Sequence, residues 1–201
     1  MCARELHVIS NGQSELERFA RIASRIHPYV TAFHLREKSS TAKELWLAML
    51  SFKAGGVPLS KVIINDRVDV AWAAGVGGIQ LSHHSLDVEV IRRVFPGLRV
   101  GRSVHNVQEA DEMYKQGADY LVYGHIFPTN SKPGQQPRGT KSLEELVKKV
   151  PIPVIAIGGI ILENVHQIVA TGAAGIAILS GITESDNPLK SAREYRRVLD
   201  R

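Results

Sequence analysis

The chain is poor in the residues on which several protein classes depend. It has one cysteine, Cys2, so neither a disulfide framework nor a cysteine-based metal centre can be built, and a reducing cytoplasm is the expected compartment. Aromatic residues are 6% of the chain, with no aromatic RNA-binding motif and no helix-turn-helix pattern. No apolar run approaches the roughly 18 residues of a membrane span. The N-terminal MCARELHVIS lacks the basic-then-apolar layout of a secretion signal. There is no low-complexity segment, no linker that would split the chain, and no G-x-G-x-x-G fingerprint after the first strand. Neither nucleic acid nor membrane is therefore an expected partner.

What is present is ordinary in bulk and informative in order. The chain has 201 residues, 44% apolar and 22% charged, enough for one domain, residues 1–201, with a sizeable core. The formal charge is +5, but the basic residues are spread and interleaved with acids, which suits an anionic small molecule at least as well as a polyanion. Short β-branched runs read as strands at 6–10, 30–36, 61–65, 78–82, 98–104, 120–127, 152–160 and 175–182. Helical patterns lie between them. SELERFARIASRI carries an apolar stripe at Leu16, Phe19, Ala20, Ala23 and Ile26; NVQEADEMYKQGA starts at an Asn N-cap and stops at Gly117; LENVHQIVATGA stops at Gly172. Eight strand-helix units over this length predict a little-decorated (β/α)₈ barrel, with a doubly wound open sheet as the competing fold.

In such a barrel the chemistry sits where strands end. Those ends read HLREK after strand two, NDR after strand three, SHHS after strand four and GRSVH in strand five. Strand six ends in GHIFPTNSK, strand seven in AIGGI and strand eight in ILSGI. The rim is polar, basic and rich in glycine, a mouth for an anion. Gly158, Gly159, Ser180 and Gly181 can bring backbone N–H groups close to a phosphate; the plainer reading is that these glycines only make tight turns. Arg36 and Lys38 alternate and can point the same way, as an anion clamp or as a solvated pair around Glu37. The loop 128–142 is long enough to act as a lid. Within it, Arg138 reads most simply as a solvated arginine.

Of the histidines, His27 and His166 read as helix-surface residues and His7 as barrel filling. His83 and His84 suggest a metal, but neighbours in a strand face opposite ways and no third ligand has suitable spacing. No metal site is expected. His125 stands where the rim begins and can exchange a proton near neutral pH, the profile of a general acid/base.

Taken together, HLREK, NDRVDVA, LSHHS, GRS, GHIFPTNSK and AIGGI resemble, in order and in register, the motifs of the thiamine phosphate synthase superfamily. The resemblance implies a (β/α)₈ barrel acting in thiamine biosynthesis. That pattern has two acidic residues for a magnesium ion; Asp66 occupies the first position and Ser85 the second. Two glutamines of the pattern are His34 and His83, and its proline after the strand-six glycine is His125. This combination is similar to the thiazole tautomerase branch. It implies isomerisation of a carboxylated dihydrothiazole (ylidene) ethyl phosphate to the aromatic carboxythiazole phosphate, without cofactor or metal, with His125 moving the proton. The resemblance places the phosphate at Gly158, Gly159, Ser180 and Gly181. Arg36, Lys38 and Lys132 would meet the carboxylate or screen developing charge, and Asn65 and Ser103 would hydrogen-bond to the substrate. The expected partner is thus a phosphorylated thiazole. Alternatives are a synthase with a remodelled site and a non-catalytic sensor of a phosphorylated metabolite. Pairing of two barrels into a homodimer is left open by the sequence.

Overall fold

Alternation of side chains along each strand separates the two cores of this molecule. The computed structural model describes residues 3–13 and 15–201; Cys2 and Ser14, the residue that opens the first helical stretch, lie outside them. The elements run β1 (Glu5–Ile9), α1 (Leu16–Ile26), β2 (Ala32–Leu35), α2 (Ala42–Ala54), β3 (Val62–Asn65), α3 (Val68–Ala74), β4 (Gly78–Leu81) and α4 (Val88–Val94). They continue with β5 (Arg99–Val104), α5 (Val107–Lys115), β6 (Tyr120–Gly124), α6 (Gly139–Lys149), β7 (Val154–Ile157), α7 (Val165–Ala170), β8 (Gly175–Ile178), α8 (Ser180–Thr183) and α9 (Pro188–Leu199). All eight strands pair in parallel, in chain order, and β8 closes on β1 through Glu5–Val8 against Gly175–Ile178. That closure is a (β/α)₈ barrel and excludes the doubly wound sheet, which would leave two edges.

Leu6 and Val8, Phe33 and Leu35, Val62 and Ile64 face the helices and join the outer core. Ile9, Ala32, Ile63, Tyr120, Val122, Ile155 and Ala177 form a smaller inner core. Inward positions on the same strands carry His7, His34, Asn65 and Gln80, so the inside of the barrel is partly polar. Phe33 locks β2 to its helices through Phe19 of α1 and Phe52 of α2, with ring centroids 6.2 and 6.1 Å away. Truncating one of these rings to alanine should cost about 3–5 kcal/mol. No helix among the described residues is long and apolar enough to cross a membrane.

The predicted stripe of α1 is buried at all five positions. Asn106 caps α5 by accepting from the Glu109 N–H at 2.8 Å, and Gly117 and Gly172 adopt positive φ just past α5 and α7. The strands are shorter than the apolar runs, most of all β6, β7 and β8. Ile126 and Ile160 are buried by packing of the strand-to-helix loops and Ile182 by packing of the one-turn α8, not by ladder pairing, and that is why the runs overreach.

Candidate active site

β6 delivers His125, the first residue beyond Gly124, across a cis peptide bond. The imidazole is 5% exposed. Its Nε2 lies 3.2 Å from the backbone oxygen of Gln135. A carbonyl only accepts, so Nε2 carries the hydrogen. Strand-like backbone bonds continue past the ladder, from Ile126 N–H to the Ile157 oxygen and from Phe127 N–H to the Gly158 oxygen, both 3.0 Å.

The glycines of AIGGI shape this corner directly. A Cβ on Gly158, whose φ is 96°, would run into the His125 Cβ and lie 2.7 Å from its Cα. One on Gly159, at φ 66°, would meet the Phe127 oxygen at 2.6 Å. Gly181 in turn makes room for Tyr195 Oη, which would sit 2.6 Å from an added Cβ. Each of these glycines has a packing reason that needs no ligand. Ser180 and Gly181, both exposed, start the one-turn α8 beside the half-buried Gly158 and Gly159.

The loop that follows His125 closes on itself. Arg138 N–H donates to the His125 oxygen at 2.9 Å, Arg138 Nε to the Gly124 oxygen at 3.0 Å, and Gly139 N–H to the Ile126 oxygen at 3.1 Å. The Arg138 guanidinium also stacks on Tyr123, 5.7 Å from the ring centre. Arg138 is exposed, as expected, and in addition ties the end of the loop to the end of β6. Lys132 lies exposed near the loop's tip.

Across the mouth the arrangement differs. Asp66, at φ 63°, accepts from Ser82 Oγ at 2.9 Å and closely from Ser85 Oγ. Arg67 is turned away onto Asp69, with Nε–Oδ1 at 3.0 Å and Nη2–Oδ2 at 2.6 Å. The magnesium ion that the resemblance implies needs several hard oxygen ligands in near-octahedral array. Here one carboxylate is already held by two hydroxyls, and no three His, Cys, Asp or Glu side chains among the described residues group as metal ligands. This donor set does not fit the ion. His83 and His84 correct an expectation. They occupy a turn after β4, not a strand, so their rings lie on the same side, with centroids 3.7 Å apart and planes tilted by 39°. The like charge of His84 is the largest influence lowering the His83 pKa.

Arg36 and Lys38 are exposed while Glu37 between them is buried, its Oε1 accepting the Gly12 N–H at 3.2 Å. The predicted alternation therefore holds. Ser103 Oγ accepts from Gln80 Nε2 at 3.1 Å. Asn65 Oδ1 is buried without a hydrogen-bond partner.

Sequence reasoning gave His7 no role beyond filling space, and the barrel interior shows otherwise. His7 Nδ1 is 2.8 Å from His34 Nε2, and His7 Nε2 is 2.8 Å from Glu5 Oε2. Arg99 grips Glu5 with both terminal nitrogens, at 3.1 and 2.9 Å. Burial pushes the Glu5 carboxyl up, but hydrogen bonds from His7 and Arg99 outweigh it and hold the pKa at about 2. Burial lowers the pKa of both imidazoles. A signal existed: both histidines sit on inward strand positions, where a polar side chain needs a partner.

A closed parallel eight-stranded barrel carries enzyme sites at the C-terminal ends of its strands, which is where this basic, glycine-bearing rim lies. The sequence pattern of the family described as thiamine monophosphate synthase (TMP-TENI) matches residues 6–182. A thiamine-phosphate synthase of Pyrococcus horikoshii is 32% identical over 98% of this chain and 95% of its own. One from Chlorobium luteolum is 38% identical over 83% of this chain and 80% of its own. Among solved structures, a thiamine phosphate pyrophosphorylase from Pyrococcus furiosus superposes with a TM-score of 0.82 at 31% identity, covering 97% of this chain and 95% of the other. The chain belongs to the thiamine monophosphate synthase family, whose members are enzymes of thiamine biosynthesis.

Proposed function

We propose that this chain is the isomerase of its family, a thiazole tautomerase. It converts the carboxylated dihydrothiazole (ylidene) ethyl phosphate into 2-(2-carboxy-4-methylthiazol-5-yl)ethyl phosphate. The observation that carries this reading is His125: a ring at the end of β6 with its Nε2–H on the Gln135 carbonyl and Nδ1 left as a base. Nδ1 takes the proton from the ring carbon that bears the carboxylate. The freed electron pair forms a ring double bond as the exocyclic double bond shifts, and the exocyclic carbon takes the proton back from Nδ1–H. No atom is gained or lost, and aromatisation drives the step. While the ring is doubly protonated, the Gln135 carbonyl steadies its charge. Arg36, Lys38 and Lys132 supply cations for the carboxylate and the developing charge; Gly158, Gly159, Ser180 and Gly181 take the phosphate; Asn65 and Ser103 contribute hydrogen bonds.

The hydroxyl-held Asp66 supports the same choice, because a pyrophosphate-dependent synthase needs a stronger ion site than this corner offers. The names of the relatives favour the second reading, a thiamine-phosphate synthase. Two assays separate them. Aromatic product should form from the dihydrothiazole phosphate in the presence of a chelator. Robust thiamine phosphate formation from the pyrimidine pyrophosphate, thiazole phosphate and magnesium, without isomerisation, would defeat the first reading.

A further inference from the structure

Gln80 stands at an inward position of β4, 3% exposed, and the proposed reaction gives it no task. Its amide is only half satisfied. Nε2 donates to Ser103 Oγ at 3.1 Å, while Oε1 is buried without a hydrogen-bond partner. A buried acceptor left in that state costs stability, and an apolar side chain of similar length would avoid the cost. Its presence points to a duty toward the ligand, not toward the fold.

The backbone shows how the amide reaches the serine. Gln80 pairs in register with Gly101 of β5, and Ser103 lies two residues further along the same inner face. A Cβ on Gly101 would run into Gln80 Oε1 and into the Tyr120 ring. Glycine there lets the glutamine lie across β5 with its nitrogen on Ser103. The Leu81 carbonyl oxygen, 3.5 Å from that same nitrogen, settles which end of the amide is which. A carbonyl only accepts, and it would repel an amide oxygen put in that place. The hydrogens of Ser103 can then be counted. Its oxygen accepts from Gln80, and its own hydrogen has no acceptor among the described residues. The hydroxyl is half-buried near the mouth end of β5.

We infer that Gln80 is a positioning residue that makes Ser103 a hydrogen-bond donor to an anionic oxygen of the ligand, on its carboxylate or its phosphate. The Gln80 N–H occupies the lone pair of Ser103 that faces the barrel and so turns the hydroxyl hydrogen toward the mouth. It also polarises the hydroxyl, which strengthens the bond given onward. Without it the hydroxyl rotates freely, and ordering it again on the ligand costs affinity. That Ser103 touches the substrate rests on the isomerase reading; the bond from Gln80 does not.

A double-mutant cycle on the full chain, read by calorimetry and thermal melts, tests this. The ligands are 2-(2-carboxy-4-methylthiazol-5-yl)ethyl phosphate and the same thiazole phosphate without its carboxylate. Gln80→Met keeps the length and removes the donor; it should melt no lower than the unaltered protein and bind about 3- to 10-fold more weakly. Ser103→Ala should weaken binding about 10- to 100-fold, the weight of a hydrogen bond to a charged group. In the Ser103→Ala background, Gln80→Met should change affinity by no more than about twofold, because its effect passes through the serine. Equal losses in both backgrounds overturn the inference, as does Ser103→Ala binding like the unaltered protein. A lower melting temperature for Gln80→Met with unchanged affinity assigns the glutamine to the fold and also overturns it. A loss confined to the carboxylated ligand identifies the carboxylate as the acceptor, and a loss with both ligands identifies the phosphate. If the unaltered protein fails to isomerise the dihydrothiazole phosphate, the proposed reaction falls. The cycle on the thiazole phosphate then still decides the role of Gln80.

Discussion

The two sides of the barrel mouth solve different problems with similar material. At the ends of β3 and β4, one carboxylate, Asp66, is neutralised in effect by the hydroxyls of Ser82 and Ser85. At the ends of β6 and β7, one imidazole is pressed into a glycine notch and pinned at Nε2 by a loop carbonyl. The first side is built of groups that hold still and exchange nothing. The second holds a buried imidazole by one of its nitrogens, the arrangement on which the proposed proton transfer rests. On the isomerase reading, the chemistry of this barrel is set by that one ring more than by how many charged residues the rim displays.

Several substitutions test that contrast. The largest effect should come from His125→Asn, which can keep the hydrogen bond to Gln135 but has no basic nitrogen. Turnover should drop about 10²–10⁴-fold while product binding by calorimetry is retained; turnover near that of the unaltered protein would erase the contrast. Next is Gly158→Ala, which forces a Cβ into His125 at a φ of 96°. Stability in urea should fall by about 1–3 kcal/mol, with activity falling further than stability alone accounts for. A glycine whose only duty is phosphate contact would lose binding without loss of stability.

Beneath both sides, Glu5 makes a prediction in pH. Its carboxyl falls from an ordinary 4.5 to about 2 in the folded chain, so folding favours the ionised form. The stabilisation is present above about pH 4.5 and drains away as pH falls toward 2, by up to about 3 kcal/mol. Glu5→Gln should flatten that part of the stability curve measured by thermal melts. Arg138→Ala removes one charge-assisted hydrogen bond and a ring contact, and should cost about 1–2 kcal/mol while making the loop more open to proteolysis. Smallest of all, Asp66→Asn should leave isomerisation within about threefold, because asparagine tolerates positive φ and still accepts from the serines. A collapse of activity there, restored by magnesium, would move the chemistry to the other side of the mouth.

Much of this was legible beforehand. Eight apolar runs with helical patterns between them favoured a closed parallel barrel over a doubly wound sheet, and the stripe Leu16, Phe19, Ala20, Ala23, Ile26 marks the buried face of α1. His125 could be singled out because it ends a strand where the resemblance has a proline. The failures have physical causes. Ile126, Ile160 and Ile182 are as apolar as strand residues yet pack loops or, for Ile182, the short α8, so composition could not find the ends of β6, β7 and β8. His83 and His84 look like strand neighbours until the chain turns after Leu81. Arg138 is exposed as read, but its acceptors, the oxygens of Gly124 and His125, lie 14 and 13 positions back and become neighbours only when the loop returns. His7 and His34 are 27 residues apart and meet only because β1 and β2 pair.

The return of the loop to its own point of departure has a practical corollary. Arg138 and Gly139 fasten the way back to Gly124, His125 and Ile126, and Gln135 holds the His125 ring through its backbone oxygen. A change of length within residues 130–134 would reach Gln135 through its bond to the Lys132 oxygen and so shift the ring. The breadth of what the barrel admits is therefore better retuned by exchanging exposed side chains there than by altering the loop's length.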